Sequence, residues 1–105
     1  MTGARREADR RIGVVGIVVT DRERSAAAVQ EVLSGYSELI VGRMGVPYRE
    51  RGVAVIALIV DGDTDRLGAM TGRLGSLPGV FVRTALTGFS GTETEEEAGP
   101  RGARG

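Results

Sequence analysis

The chain has 105 residues, with fourteen arginines, no lysine, and no histidine, cysteine or tryptophan. Zinc, nickel, copper, haem and iron–sulfur sites draw on imidazole or thiolate ligands, so their usual coordination is excluded. Serine–histidine and cysteine–histidine catalysis, Schiff-base chemistry and a P-loop lysine are excluded with them. Fourteen acids balance the arginines to a net charge of zero, which leaves no global basic field for nucleic acid. No apolar run reaches the length of a membrane span or a signal-peptide core, so a soluble, cytoplasmic protein with no membrane partner is expected.

Residues 1–11 mix four arginines with two acids, and residues 87–105 are rich in glycine and glutamate. Both read as disordered tails. They flank one domain over residues 12–86, small enough to gain stability from association. Its first element, Ile12–Thr20, is a β-branched apolar run of strand length. A helix is expected from Thr20 or Asp21 to Leu33, with Val29, Val32, Leu33 and Tyr36 on one face, a capping box of Thr20 and Glu23, and Gly35 as its stop.

Next comes a short strand, Leu39–Val46, running into a polar connection from Gly42 to Gly52. Arginines 43, 49 and 51, with Tyr48 and Pro47, give that connection the makings of an anion site with an aromatic wall, or of a charged hairpin tip whose arginines pair across an oligomer with Glu50 or Glu38. A third strand, Val53–Val60, is followed by the turn Asp61-Gly62-Asp63 and a second helix. Its cap is Asp63 or Thr64, its apolar face Leu67, Met70, Thr71 and Leu74, and its end Gly75. The DGDTD run departs from an EF-hand loop at Arg66 and Gly72, so a turn and helix cap are expected and no metal site. Gly68 and Gly72 share a helix face, which suggests close approach by a neighbouring helix or subunit. The last strand is Val80–Leu86.

The order β-α-β-β-α-β, repeated at about forty residues, predicts an α+β, ferredoxin-like βαββαβ sandwich, a four-stranded antiparallel sheet with two helices on one face. Alternation along the first and third strands leaves both sheet faces apolar. Two helices can cover one of them, so the other is expected to pack against a second copy, in a dimer or tetramer. Every acid of the core falls in a turn, cap or hairpin, so no catalytic carboxylate pair is expected and the protein is read as a non-enzyme.

Arg43-Met44-Gly45-x-Pro47, followed by Thr71-Gly72-Arg73-Leu74-Gly75 and Pro78-Gly79-Val80, resembles the family of small iron-only hydrogenase system regulators, over Ile12 to Leu86. The resemblance implies an ACT-like domain, similar to the C-terminal domain of the nickel-responsive repressor. It implies a small effector, often an amino acid, held at a subunit interface near the first strand–helix corner. That repressor's nickel ligands are histidine and cysteine, which this chain lacks, and only eleven polar residues precede its first strand where the repressor has a DNA-binding module. The expected ligand-binding residues are Thr20, Asp21 and Arg22 at the corner and Arg43, Tyr48 and Arg49 from the hairpin. No cofactor is expected. The partner is either a small anionic or amino-acid effector or, in the rival reading, a hydrogenase-maturation protein bound by a structural adaptor.

Overall fold

The computed structural model describes residues 9–89. Its elements run β1 (Arg10–Val19), α1 (Arg22–Gly35), β2 (Ile40–Tyr48), β3 (Val53–Asp63), α2 (Thr64–Gly75) and β4 (Val80–Leu86), with short 3-10 turns at Ser37–Leu39 and Arg49–Arg51. The strands form one sheet in the order β2-β3-β1-β4, antiparallel at every joint. This is the ferredoxin-like sandwich that the alternation of apolar runs predicts. The long apolar runs β1 and β3 lie side by side at the centre and the more polar β2 and β4 form the edges.

Register decides which side chains meet the helices. Val15 stands opposite Leu58 and Ile17 opposite Ile56 on the two central strands, and all four are buried. They form one core with Val29, Val32 and Leu33 of α1 and Leu67, Met70 and Leu74 of α2. The helix-side residues therefore follow a spacing of two on the strands and of three or four on the helices, as each backbone geometry requires. Burying each such side chain contributes about 1.5–3 kcal/mol.

Several local expectations are corrected. β1 begins at Arg10, so Arg10 and Arg11 belong to the sheet and not to the N-terminal tail. β3 continues through Asp61 and Gly62 to Asp63, because Arg10, Arg11 and Ile12 pair with those residues; the anticipated turn is strand. Asp63 then caps α2, its Oδ1 accepting from the amides of Asp65 and Arg66 at 2.7 and 3.2 Å. β2 runs on to Tyr48, so most of the stretch expected as a polar connection is edge strand, and the link to β3 shrinks to residues 49–52, where Gly52 takes a positive φ of 68°. Pro47 is tolerated there because an edge strand need not donate from both sides. Among the described residues a Cβ at Gly68 or Gly72 would meet nothing within 4 Å, so no neighbouring helix of the same chain explains that pair. The rest of the tails, residues 1–8 and 90–105, lies outside the described residues.

The capping box is also replaced. Asp21, not Thr20, caps α1, its Oδ1 accepting from the Arg24 amide at 3.2 Å. Thr20 is occupied elsewhere: its amide and its hydroxyl both donate to the Gly79 carbonyl, at 2.8 and 2.9 Å. One turn later the buried Ser25 hydroxyl donates to the Pro78 carbonyl at 2.5 Å. These bonds latch the β1–α1 corner to the α2–β4 connection. Gly79 has φ +70°, and a Cβ there would fall 2.8 Å from the Thr20 hydroxyl oxygen, so the position requires glycine.

The outer face of the sheet carries Ile12, Val14, Gly16 and Val18 from β1, Val53, Val55, Ala57 and Ile59 from β3, Met44, Val46 and Tyr48 from β2, and Phe81, Arg83 and Ala85 from β4, so one arginine stands on an otherwise apolar surface. Met44 and Phe81 are 65% and 64% exposed and Val14 and Ile59 about half. Nothing in the described residues covers this face. No described helix is long and apolar enough to cross a membrane.

Two substitutions test this packing in urea denaturation. Leu67→Ala, in the buried face of α2, is expected to cost about 2–5 kcal/mol through lost transfer energy and the cavity left behind. Ser25→Ala removes the donor to the Pro78 carbonyl and is expected to cost about 0.5–1.5 kcal/mol; a cost near zero would show that this bond of the latch does not stabilise the fold.

Candidate functional site

The pairings Val19 with Ala54 and Ala54 with Pro47 bring the end of β1, the start of β3 and the end of β2 to one end of the sheet. Thr20, Asp21 and Arg22 leave β1 there, and Tyr48 and Arg49 leave β2 there, so five of the six expected site residues gather at that end. Arg43 lies a few residues back along β2. Their employment differs. Thr20 and Asp21 are taken up by the latch and the cap. Tyr48 stands opposite Val53 on the outer face, and Arg49 lies in the turn that follows.

Arg22 and Arg43 meet at a common feature. Between α1 and the helix-side surface of β2 and β3 lies an open cleft of about 360 Å³, lined by both arginines. It is within the roughly 300–1,000 Å³ range of small-molecule sites. Ala26, Val29 and Gln30 form its helix wall; Gly45, Pro47, Ala54 and Ile56 lie on the sheet side. The cleft exists because α1 packs toward the sheet centre and leaves β2 uncovered, and because the residues facing it there are small or lack a long apolar side chain. Arg43 crosses the gap, its Nη2 donating to Gln30 Oε1 at 2.8 Å. Among the described residues no carboxylate lines the cleft and neither arginine forms an ion pair. Two permanently charged guanidiniums therefore border an apolar floor, an arrangement suited to an anion with a hydrocarbon part.

Gln30, Ala26 and the floor residues were not anticipated. A signal for them exists: Arg22, Ala26 and Gln30 fall at intervals of four on one helix face, and Arg43, Gly45 and Pro47 alternate onto one strand face. What the one-dimensional pattern lacks is the position of α1 across the sheet, which decides that these two rows confront each other.

A second hollow, of about 280 Å³, lies at the other end of the sheet and is lined by Arg10, Glu38, Leu39, Asp61, Gly62, Asp63 and Arg66. Its charges satisfy one another. Arg10 pairs with Asp61 at 3.1 Å, Asp63 caps α2, and Arg66 pairs with Glu38 while its guanidinium lies 5.6 Å from the centre of the Tyr36 ring. A backbone hydrogen bond at Glu38, followed by the bond to Arg66, holds the Glu38 carboxyl below its ordinary range. Within the chain, Glu38 is thus engaged by Arg66. Asp61, Asp63 and Asp65 are a strand residue, a cap and a first-turn acid.

The fold and the cleft can be set beside known proteins. No curated protein matches the chain. Among solved structures, the uncharacterized protein TM1266 from Thermotoga maritima is 42% identical, with a TM-score of 0.71, over 73% of this chain and 96% of that one. The ACT domain of GTP pyrophosphokinase from Chlorobium tepidum superposes with a TM-score of 0.59 at 20% identity, over 73% of this chain and 88% of that domain, a likeness of fold. A protein of unknown function from Galdieria sulphuraria gives a TM-score of 0.56 at 17% identity, over 78% of this chain and 48% of its own. The family model described as "TM1266-like: Iron-only hydrogenase system regulator, putative" matches residues 11–84, which span β1 through most of β4. With that match across nearly the whole sandwich, the chain belongs to the TM1266-like family of iron-only hydrogenase system regulators and has an ACT-like fold.

Proposed function

We propose that the protein is a non-catalytic regulatory module of the iron-only hydrogenase system, acting in the cytoplasm as a homo-oligomer and binding a small effector in the cleft between α1 and β2. The observation that carries this reading is the convergence of Arg22 and Arg43, from separate elements, on one apolar-floored cleft. Thr20 and Asp21 serve the site indirectly, by fixing the corner from which Arg22 projects. Tyr48 and Arg49 stand beyond the cleft, where a second subunit would bring them into an effector site shared between copies. Such an effector regulates by binding one arrangement of subunits better than another.

Oligomerisation is supported by the bare outer face of the sheet. Contiguous exposed apolar surface marks an interaction site, and a second copy offers the same chemistry in return. The same face supports a rival reading, an adaptor that receives a hydrogenase-maturation protein and no small molecule.

Light scattering after size exclusion is expected to give a dimer or tetramer mass, and Phe81→Glu on the outer face is expected to reduce it to the monomer with an unchanged circular dichroism spectrum. A monomeric wild-type mass at micromolar concentration would remove the oligomer and favour the adaptor. For the effector, a thermal-shift panel of amino acids, nucleotides and small organic anions is expected to contain a stabiliser. A ligand at one hundred times its dissociation constant adds about 2.7 kcal/mol. Flat melting curves across the panel would overturn the sensor reading.

A further inference from the structure

The chemistry of the cleft selects among effectors. Arg22 and Gln30 are eight residues apart on α1, which places them about 12 Å apart along the helix axis. The Arg43 guanidinium is fixed at the Gln30 end by its hydrogen bond, while Arg22 stands at the end nearest Pro47, because β2 runs antiparallel to α1. The cleft thus has a cation toward each end. Between them Ala26, Val29, Gly45, Ala54 and Ile56 offer hydrocarbon or bare backbone and no charged group.

This distribution disfavours an amino acid. A zwitterion's ammonium would enter a space bordered by two guanidiniums and lined by no carboxylate, and the one side-chain amide oxygen there already accepts from Arg43. It also disfavours a compact inorganic anion, which could reach one arginine but would leave the apolar floor unused. Resting on the effector reading above, we infer that the cleft binds a short linear aliphatic dicarboxylate, with one carboxylate on Arg43 and the other on Arg22, its methylene chain lying over Val29 and Ile56. Each guanidinium can present two parallel donors to a carboxylate. The methylenes displace water from the floor between them.

The test uses the full-length protein and the probes glutarate, adipate, pimelate, hexanoate, leucine and inorganic phosphate, each titrated by calorimetry and by amide chemical shifts of Ala26, Gly45 and Ala54. Expected are an affinity maximum within the dicarboxylate series and at least tenfold weaker binding of hexanoate. Leucine and phosphate are expected not to perturb these amides. Arg22→Gln and Arg43→Gln, both at exposed positions, should each reduce the best dicarboxylate to the level of hexanoate, with circular dichroism confirming the fold. Hexanoate binding as tightly as adipate would overturn the two-ended assignment. Leucine or phosphate binding more tightly than any dicarboxylate, with shifts in the same amides, would overturn this inference while keeping the effector reading. No cleft shift from any probe, together with flat melting curves across the wider panel, would bring both down.

Discussion

The number of faces governs this structure. A strand that is apolar at every position needs cover on both sides, yet two helices of twelve and fourteen residues can shield only one face of a four-stranded sheet. The helices take the side where Val15, Ile17, Leu58 and Val60 are buried among Leu33, Leu67, Met70 and Leu74. Even that side is covered unevenly. The helices sit over the centre and the β4 edge, and β2 is left beside an open cleft. Both features that bear on function, the bare outer face and the cleft, are what the helices leave unfilled.

Much of the architecture was legible because it depends on periods. Spacing by two in β1 and β3, and by three and four in the helices, is a local property that the fold preserves. The end of α2 at Gly75 follows from local chemistry too, as does its cap at Asp63. What misled was chemistry with two satisfactory outcomes. Asp61-Gly62-Asp63 makes a good turn, but a partner strand beginning at Arg10 offers the same backbone groups a ladder, and the ladder prevails. Thr20 makes a good cap, but the carbonyl of Gly79, fifty-nine residues away, claims its hydroxyl. Long-range partners of this kind leave no trace in the neighbouring sequence.

The site was half legible for the same reason. Arg22 and Arg43 were identifiable as arginines in polar, partly rigid surroundings, and they do border the same cleft. Their companions Ala26, Gly45 and Ala54 matter for being small, and small residues advertise nothing until the elements that carry them are set face to face. Tyr48 illustrates the converse. Its ring drew notice within an arginine-rich stretch, but continuation of β2 to that residue sends the side chain to the outer face, away from Arg43's.

The latch at the corner gives the molecule a mechanical property. Thr20 and Ser25 hang on the consecutive carbonyls of Gly79 and Pro78, so the first turn of α1 is tied to the connection between α2 and β4. The far end of the helix has no equivalent tether to that connection; its Gln30 reaches instead toward β2 through Arg43. A force exerted on α1 from the cleft would therefore act on a lever with its pivot at Pro78-Gly79. Val80, the opening residue of β4, follows that pivot directly, and Phe81 beside it stands on the opposite side of the sheet.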